Sequence, residues 1–220
     1  MENYNNEFVN KTAIITGGGT GIGKGIALAF AREGARLTIA SRNRSNLDQT
    51  ASELRELGAE VLVVTVDVGN EQQVANLFSE GVAFLGKLDI LVNNSGIFEK
   101  GPIDELSFES WKRVIDVNLN GPFLCTREAM RIMKRQHVGR IINIGSISAQ
   151  VPRFNSASYT STKHGLVGLT KTTALEGREF GISAGCLHPG NVATNMTSEV
   201  QDQEPMMTME DISSVALAMA

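Results

Sequence analysis

Residues 16–23 read Thr16-Gly17-Gly18-Gly19-Thr20-Gly21-Ile22-Gly23. An apolar, β-branched run, Thr12 to Thr16, leads directly into them, and a helical repeat of apolar residues follows. A dinucleotide site requires this order of strand, turn and helix. Glycines let the backbone turn sharply, and the free N–H groups that begin a helix attract a pyrophosphate. Glycine-rich turns also occur where no nucleotide binds, so the loop alone leaves binding open.

Short β-branched runs and longer helical patterns alternate along the whole chain, which is typical of βα units around a parallel sheet. The predicted strands are Thr12 to Thr16, Arg36 to Ala40, Val61 to Val66, Leu88 to Val92, Arg140 to Gly145 and Ser183 to Leu187. The later helices are predicted at about 108–136, with a break near Gly121-Pro122, and at about 158–180. We therefore predict an α/β fold, a doubly wound parallel sheet (Rossmann) in a three-layer α/β/α sandwich. Residues 1–220 form one dinucleotide-binding and catalytic domain in this prediction, with 1–10 as a flexible tail.

Composition narrows the class of protein. The 220 residues are 42% hydrophobic and 20% charged with a net charge of −4, so nucleic acid is not an expected partner. The basic stretch from Met130 to Arg140 fits the end of a helix better than a binding patch. Cys125 and Cys186 form no C-x-x-C pair, which fits reduced thiols. The first ten residues are too polar for a signal peptide, and no apolar run reaches the ~18 residues that span a bilayer. We expect an unprocessed cytoplasmic protein without membrane contact.

The loop form T-G-x-x-x-G-I-G resembles the cofactor loop of the short-chain dehydrogenase/reductase family. Five further motifs of that family follow in its order, and together they make coincidence negligible. They are Asn93-Asn94-Ser95-Gly96, with serine for the alanine of N-N-A-G, then Asn118, Ser146, the Y-x-x-x-K motif of Tyr159 to Lys163, and Pro189-Gly190 with Thr194. The chain most resembles the 3-oxoacyl-acyl-carrier-protein-reductase-like members. The resemblance implies hydride transfer between a nicotinamide cofactor and a carbonyl or secondary alcohol, without a metal.

The resemblance also implies roles for individual residues. Ser146 would hydrogen-bond the substrate oxygen, Asn118 would help to hold a water in a proton relay, and Tyr159 would be the general acid/base. Lys163 would also hold the nicotinamide ribose. The cofactor-binding residues would be Gly17, Gly19, Thr20, Gly21, Ile22, Gly23, Ser41, Arg42, Asp67, Val68, Asn94, Ser95, Gly96, Tyr159, Lys163, Pro189, Gly190, Val192 and Thr194.

Tyr159 and Lys163 are four residues apart, so on a helix they project from one face. A nearby positive charge favours the phenolate and lowers a tyrosine pKa of ~10 by roughly 1–3 units. We therefore expect Tyr159 to titrate nearer neutrality, where proton transfer is efficient. A chance pair on a helix surface is the alternative, and the other motifs decide against it. His137, His164 and His188 lack metal-ligand spacing and are expected to be structural or solvent-facing.

Ser41 stands where NAD-preferring members place a carboxylate for the ribose 2′-hydroxyl, and Arg42 follows it. An arginine fork suits a 2′-phosphate. NADP(H) is therefore favoured over NAD(H), the alternative being that Arg42 is merely a solvated side chain.

The C-terminal part leaves the substrate open. Four methionines, Met196, Met206, Met207 and Met209, form either a flexible apolar lid or loose surface packing. By resemblance, a homodimer or homotetramer would form through the helices at 108–136 and 158–180. The family usually adds a seventh strand after the helix near Met209, yet this sequence stops at Ala220. Either the sequence is truncated or the sheet ends early.

Two other functions compete with catalysis by hydride transfer. A dinucleotide-sensing or scaffold protein would keep the fold and the cofactor loop without chemistry. It would not need the set of Asn118, Ser146, Tyr159 and Lys163, all of which are present. Epimerase or dehydratase chemistry is a weaker option, because such chains usually carry a larger C-terminal substrate region.

Overall fold

A six-stranded parallel sheet forms the centre of the molecule in the computed structural model, which describes residues 7–192 and 206–220. The strand order is β3-β2-β1-β4-β5-β6. The strands are β1 Thr12–Thr16, β2 Arg36–Ser41, β3 Val61–Thr65, β4 Ile90–Asn93, β5 Gly139–Ile144 and β6 Ile182–Leu187. The order reverses between β1 and β4, and a crevice opens there at the carboxyl ends of the strands. The predicted doubly wound fold is confirmed.

Helices cover both faces of this sheet. They are α1 Gly21–Arg32, α2 Arg44–Glu56, α3 Glu71–Leu85, α4 Phe108–Ile115, α5 Gly121–Gln136, α6 Ala157–Gly177 and α7 Met209–Met219. A second, two-stranded parallel pair joins β7 Asn191–Val192 to β8 Met206–Met207. None of the helices in the described residues is both long and apolar enough to cross a membrane.

Strand β1 shows why the middle of a central strand is apolar. All five of its residues are buried. Ala13 and Ile15 belong to the core cluster under α1 and α2, whereas Ile14 belongs to the cluster under α3 and α5. Successive strand side chains point to opposite faces, and helices cover both faces here, so neither face tolerates a charged residue.

Most of the predicted strand bounds differ from the structure by one or two residues, and two differences from the prediction have a clear local cause. Leu88 lies outside β4 because the Gln136 side chain binds its backbone, accepting from its N–H at 3.0 Å and donating to its carbonyl at 2.7 Å. The predicted break at Gly121-Pro122 is a π-helical segment, Asp116–Asn120, that connects α4 to α5. Pro122 lies in the first turn of α5, where its missing N–H costs nothing.

Within the segment 1–10, which we predicted to be a flexible tail, Glu7, Val9 and Asn10 are exposed, whereas Phe8 packs on the core; residues 1–6 lie outside the described part. Phe8 is buried, and its ring stacks on that of Phe30 with centroids 5.1 Å apart. Its N–H donates to the carbonyl of Glu33 at 3.0 Å. The basic stretch behaves as expected, because Lys134 and Arg135 lie in the last turn of α5.

We predict that Phe8→Ala lowers the free energy of unfolding by about 3 kcal/mol, the usual cost of emptying a buried aromatic site. Val9→Ala is the control, because Val9 is 52% exposed, and it should change stability by less than about 0.5 kcal/mol. Urea denaturation of both variants measures this difference. Equal, small effects would mean that residues 7–10 are not part of the folded core.

Candidate active site

Two adjoining clefts, of about 610 and 790 Å³, open at the carboxyl edge of the sheet. The smaller one, the β2–β3 cleft, lies beside the ends of those strands and is lined by Ser41, Arg42, Asp67 and Val68, among others. The larger one, the β5 cleft, contains Ser146, Tyr159 and Lys163. Both clefts are lined by Gly17, Gly19, Thr20, Asn46, Ser95 and Gly96. Residues that the sequence spreads over the chain therefore meet at one edge.

The glycine loop is held in place by Asn94. The Asn94 Nδ2 donates to the carbonyls of Thr16 at 3.1 Å and Gly17 at 3.2 Å. Gly17 has φ +67°, and a Cβ there would lie 2.6 Å from that nitrogen. A Cβ on Gly23 would overlap both the Gly17 carbonyl oxygen and Asn94. Glycine is therefore required at both positions by close packing.

The loop and the start of α1 fit a dinucleotide pyrophosphate. Thr20, the N-cap of α1, makes no capping hydrogen bond with its side chain, and the first turn of the helix carries no acidic residue. The first N–H groups of α1 thus face the clefts without a side-chain acceptor, which suits an anion. A Cβ on Gly19 would crowd Asn46 at 3.2 Å, so the cradle has room only for backbone.

Arg42 and Asp67 lie at the β2–β3 cleft. Arg42 is exposed, and its side chain makes no hydrogen bond or ion pair with any residue in the described part. Arg44 also lines this cleft, but its guanidinium is paired with Asp48 at 2.8 Å. Asp67 is fixed by the N–H of Gly69, which donates to its Oδ1 at 3.0 Å. Of the two arginines that line this cleft, Arg42 is therefore the one whose N–H donors are available to a ligand.

Ser146, Tyr159 and Lys163 meet in the β5 cleft. Ser146 follows β5, and its hydroxyl oxygen accepts from the N–H of Ser148 at 3.1 Å, in the same cleft as Tyr159. The Lys163 Nζ donates to the carbonyl oxygen of Ile144 at 2.7 Å and lies 5.4 Å from the centroid of the Tyr159 ring. The Phe98 ring packs edge-on against the Tyr159 ring with centroids 5.1 Å apart.

Burial dominates the electrostatics of this centre. It lowers the pKa of the Lys163 amine to about 8. Burial also raises the pKa of Tyr159, against smaller opposing effects of the Ser146 hydrogen bond and the Arg153 charge. The lowered Tyr159 pKa that we expected from Lys163 is therefore wrong for this structure. The physical reason is that Lys163 donates to the Ile144 carbonyl and that desolvation of the phenol outweighs the nearby charges.

Asn118 lies behind the cleft and lines neither of the two. Its carboxamide oxygen accepts from the N–H of Ile97 at 2.8 Å, and its Nδ2 donates to the Ile97 carbonyl at 2.8 Å. Asn118 lies in the π-helical segment and is buried. Both ends of the side chain are thus used to hold the segment that carries Phe98.

The three histidines lie outside the reaction centre or at the protein surface, or contact backbone carbonyls. His164 is exposed, with its Nδ1 2.9 Å from the Thr160 carbonyl oxygen. The Nδ1 of His188 lies 3.0 Å from the carbonyl oxygen of Ser146. His137 ends α5 in the left-handed conformation with φ 55°.

Most of the predicted cofactor residues line the clefts. Pro189, Gly190 and Val192 line the β5 cleft, as do Met206 and Met209. Thr194 and Met196 lie outside the described residues. Sequence reasoning missed further lining residues, of which Asn46 and Arg44 follow Arg42 closely enough to have been inferred. The missed ones include Lys24, Asn43, Arg44, Asn46, Gln49, Ile97, Val117, Ile144 and Gly145.

Comparison with known proteins agrees with this geometry. The family model for short chain dehydrogenases matches residues 11–205. An uncharacterized oxidoreductase of Bacillus subtilis is 40% identical over 186 residues, which are 84% of this chain and 72% of that protein. A 3-oxoacyl-acyl-carrier-protein reductase of Synechocystis is 34% identical over 198 residues, 90% of this chain and 80% of that one. The solved structure of an actinorhodin polyketide ketoreductase with NADPH aligns with a TM-score of 0.90 and 30% identity, covering 95% of this chain and 89% of that one.

The chain therefore belongs to the short-chain dehydrogenase/reductase family. Within the family it is similar to the 3-oxoacyl-acyl-carrier-protein reductases. It is an oxidoreductase of the class that uses NAD(P)(H) and acts on small molecules by hydride transfer.

We predict that Gly23→Ala weakens dinucleotide binding by more than about tenfold, or ~1.4 kcal/mol, because the new methyl group displaces Asn94 or the Gly17 carbonyl. Gly168→Ala is the control, since Gly168 also lies in a helix but a Cβ there would have nothing within 4 Å. Its binding should be unchanged and its stability about 0.5–1 kcal/mol higher. Calorimetric titration with NADPH tests both variants, and full affinity in Gly23→Ala would refute the cradle.

Proposed function

We propose that this protein is an NADP(H)-dependent reductase of a carbonyl compound, with Tyr159 as the proton donor to the substrate oxygen. The proposal rests on the meeting of Ser146, Tyr159 and Lys163 in one cleft, where burial raises the pKa of the Tyr159 phenol. A protonated phenol can give a proton, and the Ser146 hydroxyl lies in the same cleft.

The bound nicotinamide supplies the hydride, and the residues of this chain act on the oxygen of the substrate. As the carbonyl is reduced, negative charge develops on that oxygen, which becomes far more basic than a phenolate. Tyr159 then donates its proton to it, and the Ser146 hydroxyl donates a hydrogen bond to the same atom. The same residues work in reverse when an alcohol is oxidised, with Tyr159 as the proton acceptor.

Lys163 stabilises the phenolate that Tyr159 leaves behind. Its Nζ lies 5.4 Å from the ring centroid, and its pKa of about 8 keeps a large fraction protonated at neutral pH. A positive charge at this distance in a desolvated site lowers the cost of forming an anion. Lys163 would also hold the nicotinamide ribose. Asn118 acts through Ile97, by holding the segment that places Phe98 against Tyr159.

NADP(H) rather than NAD(H) is proposed because of the position of Arg42. The second strand ends in Ser41, so no carboxylate stands there to repel a 2′-phosphate, and the Arg42 donors face the cleft. The similar ketoreductase binds NADPH, which supports the same preference.

The substrate is proposed to be a ketone or secondary alcohol with an apolar group next to the reacting carbon. Met206 and Met209 line the β5 cleft, and Phe98 covers one side of Tyr159. The similar reductase from Synechocystis makes 3-oxoacyl thioesters the first compounds to test.

We also propose a cytoplasmic homodimer or homotetramer. Pairing would use α4, α5 and α6, which expose the large apolar side chains of Phe108, Phe123 and Leu175. Cys125 and Cys186 are both free thiols, as a reducing compartment permits.

We predict that Tyr159→Phe binds NADPH with the affinity of the parent but has a kcat about 10²- to 10⁴-fold lower, because only the transferable proton is removed. Steady-state assays of NADPH oxidation with a panel of ketones and 3-oxoacyl thioesters measure kcat, and calorimetry measures the affinity for NADPH. Comparable turnover in the variant would remove Tyr159 from the mechanism. A parent that binds NADPH and turns over no member of the panel would favour a dinucleotide-sensing protein.

We predict that Arg42→Asp weakens NADPH binding by about 1.5–3 kcal/mol, or roughly 10- to 150-fold, and leaves NADH binding almost unchanged. The carboxylate removes the phosphate donors and repels the 2′-phosphate. Arg32→Asp makes the same charge change at an exposed site in the last turn of α1, outside both clefts. An Arg42→Asp protein that prefers NADPH as strongly as Arg32→Asp does would refute the assignment.

A further inference from the structure

A chain of buried amide and hydroxyl groups runs beneath the reaction centre. The Asn93 Nδ2 on β4 donates to the Asn143 Oδ1 on β5 at 2.8 Å and to the Thr126 Oγ1 on α5 at 3.1 Å. The Asn143 Nδ2 in turn donates to the Thr170 Oγ1 on α6 at 2.8 Å, and that hydroxyl donates to the Leu166 carbonyl at 2.7 Å. The four polar side chains are all buried, so the chain joins two strands to two helices in a region away from bulk water.

These hydrogen bonds reach α6 at Thr170, two helical turns after Lys163. Thr170 follows Lys163 by seven positions, so both side chains lie on the same face of α6, about 20° apart. Asn143 directly precedes Ile144, whose carbonyl accepts from Lys163 at 2.7 Å. Helix α6 is therefore attached to two consecutive residues of β5, to one through Thr170 and to the next through Lys163.

A cysteine on β6 lies near both Thr170 and Lys163. Cys186 lies opposite Asn143 in the register of β5 and β6, and its thiol lies near Thr170. The same thiol lies close enough to Lys163 for their charges to interact. The Thr170 hydroxyl thus connects α6 to β5, beside the neighbouring strand β6.

We propose that Asn143 and Thr170 are positioning residues, which fix α6 on β5 so that Lys163 and Tyr159 stand at working distance from Ser146. The proposal rests on the proposed roles of Lys163 and Tyr159. Lys163 also serves the phenol and a bound ribose, whereas the bond between Asn143 and Thr170 is a second attachment of α6 to β5 that takes no part in those roles. The bond between Asn143 and Thr170 is directional and buried, and it makes no contact with the clefts.

Helix α6 contains a matched pair of threonines for the test. Thr170 and Thr173 are both 5% exposed, and each donates to the carbonyl four residues earlier, at 2.7 and 2.8 Å respectively. Thr170 alone of the two accepts from Asn143. Thr170→Val removes that acceptor while keeping the side-chain volume, Thr173→Val is the control, and Thr170→Ser keeps the hydroxyl and should rescue.

The first readout needs no turnover. Titration of the Lys163 15Nζ resonance in the cofactor-free protein, assigned with Lys163→Met, should give a midpoint near 8 in the parent, Thr173→Val and Thr170→Ser. In Thr170→Val the midpoint should fall, because a buried amine that loses its alignment with the Ile144 carbonyl loses the acceptor that favours its charged form. Unchanged midpoints in all variants, with Thr170→Val folded, would overturn the positioning role.

The second readout is kinetic. Thr170→Val should have a kcat about 10- to 100-fold lower with KM for NADPH almost unchanged, since small misplacement of reacting groups costs rate rather than binding. Thr173→Val should keep the parent kcat. Equal kcat values for the two valine variants would overturn the proposal even if Thr170→Val were less stable. Because the titration is done without cofactor or substrate, its outcome stands apart from a failure of the Tyr159 mechanism, which the Tyr159→Phe assay reports.

Discussion

The buried hydrogen bond from the Lys163 Nζ to the carbonyl oxygen of Ile144 is the interaction on which the reaction centre depends. It joins the second turn of α6 to the last residue of β5 at 2.7 Å. Tyr159 lies one turn before Lys163 on the same helix face, and Ser146 lies two residues beyond Ile144. The bond therefore sets the distance between the phenol and the serine, although the two residues come from different elements. Burying an amine is costly, and its lowered pKa records that cost.

The parallel sheet supplies the second constraint. Because all six strands run in one direction, the residues that follow them meet at one edge, where both clefts open. The glycine loop can reach this edge only because Gly17 and Gly23 leave room for Asn94. Asn94 then ties the loop after β1 to the segment after β4, on either side of the point where the strand order reverses. The cofactor cradle and the reaction centre thus lie at the same edge of the parallel sheet.

The sequence predicted the features that local pattern controls. The strands lie within two residues of their predicted bounds, and the glycine loop and the spacing of Tyr159 and Lys163 place their residues at the clefts. It did not predict features that depend on the partner across the fold. The Asn118 carboxamide is hydrogen-bonded to the backbone of Ile97, and the Phe8 ring stacks on the Phe30 ring. The direction of the Tyr159 pKa shift was not predicted either. The spacing of residues indicates a nearby charge, but it does not show how strongly the folded protein excludes water from the phenol.

The most direct test of this account is the titration of Tyr159 itself. The chain has two tyrosines, Tyr4 and Tyr159, so a protein labelled with 13Cζ-tyrosine gives two resonances, and Tyr159→Phe assigns them. The account predicts that the Tyr159 resonance of the cofactor-free protein titrates above the usual value of ~10, because burial outweighs the hydrogen bond from Ser146 and the nearby positive charge. A midpoint close to neutrality would contradict it, and would make the phenolate rather than the phenol the resting form of the enzyme.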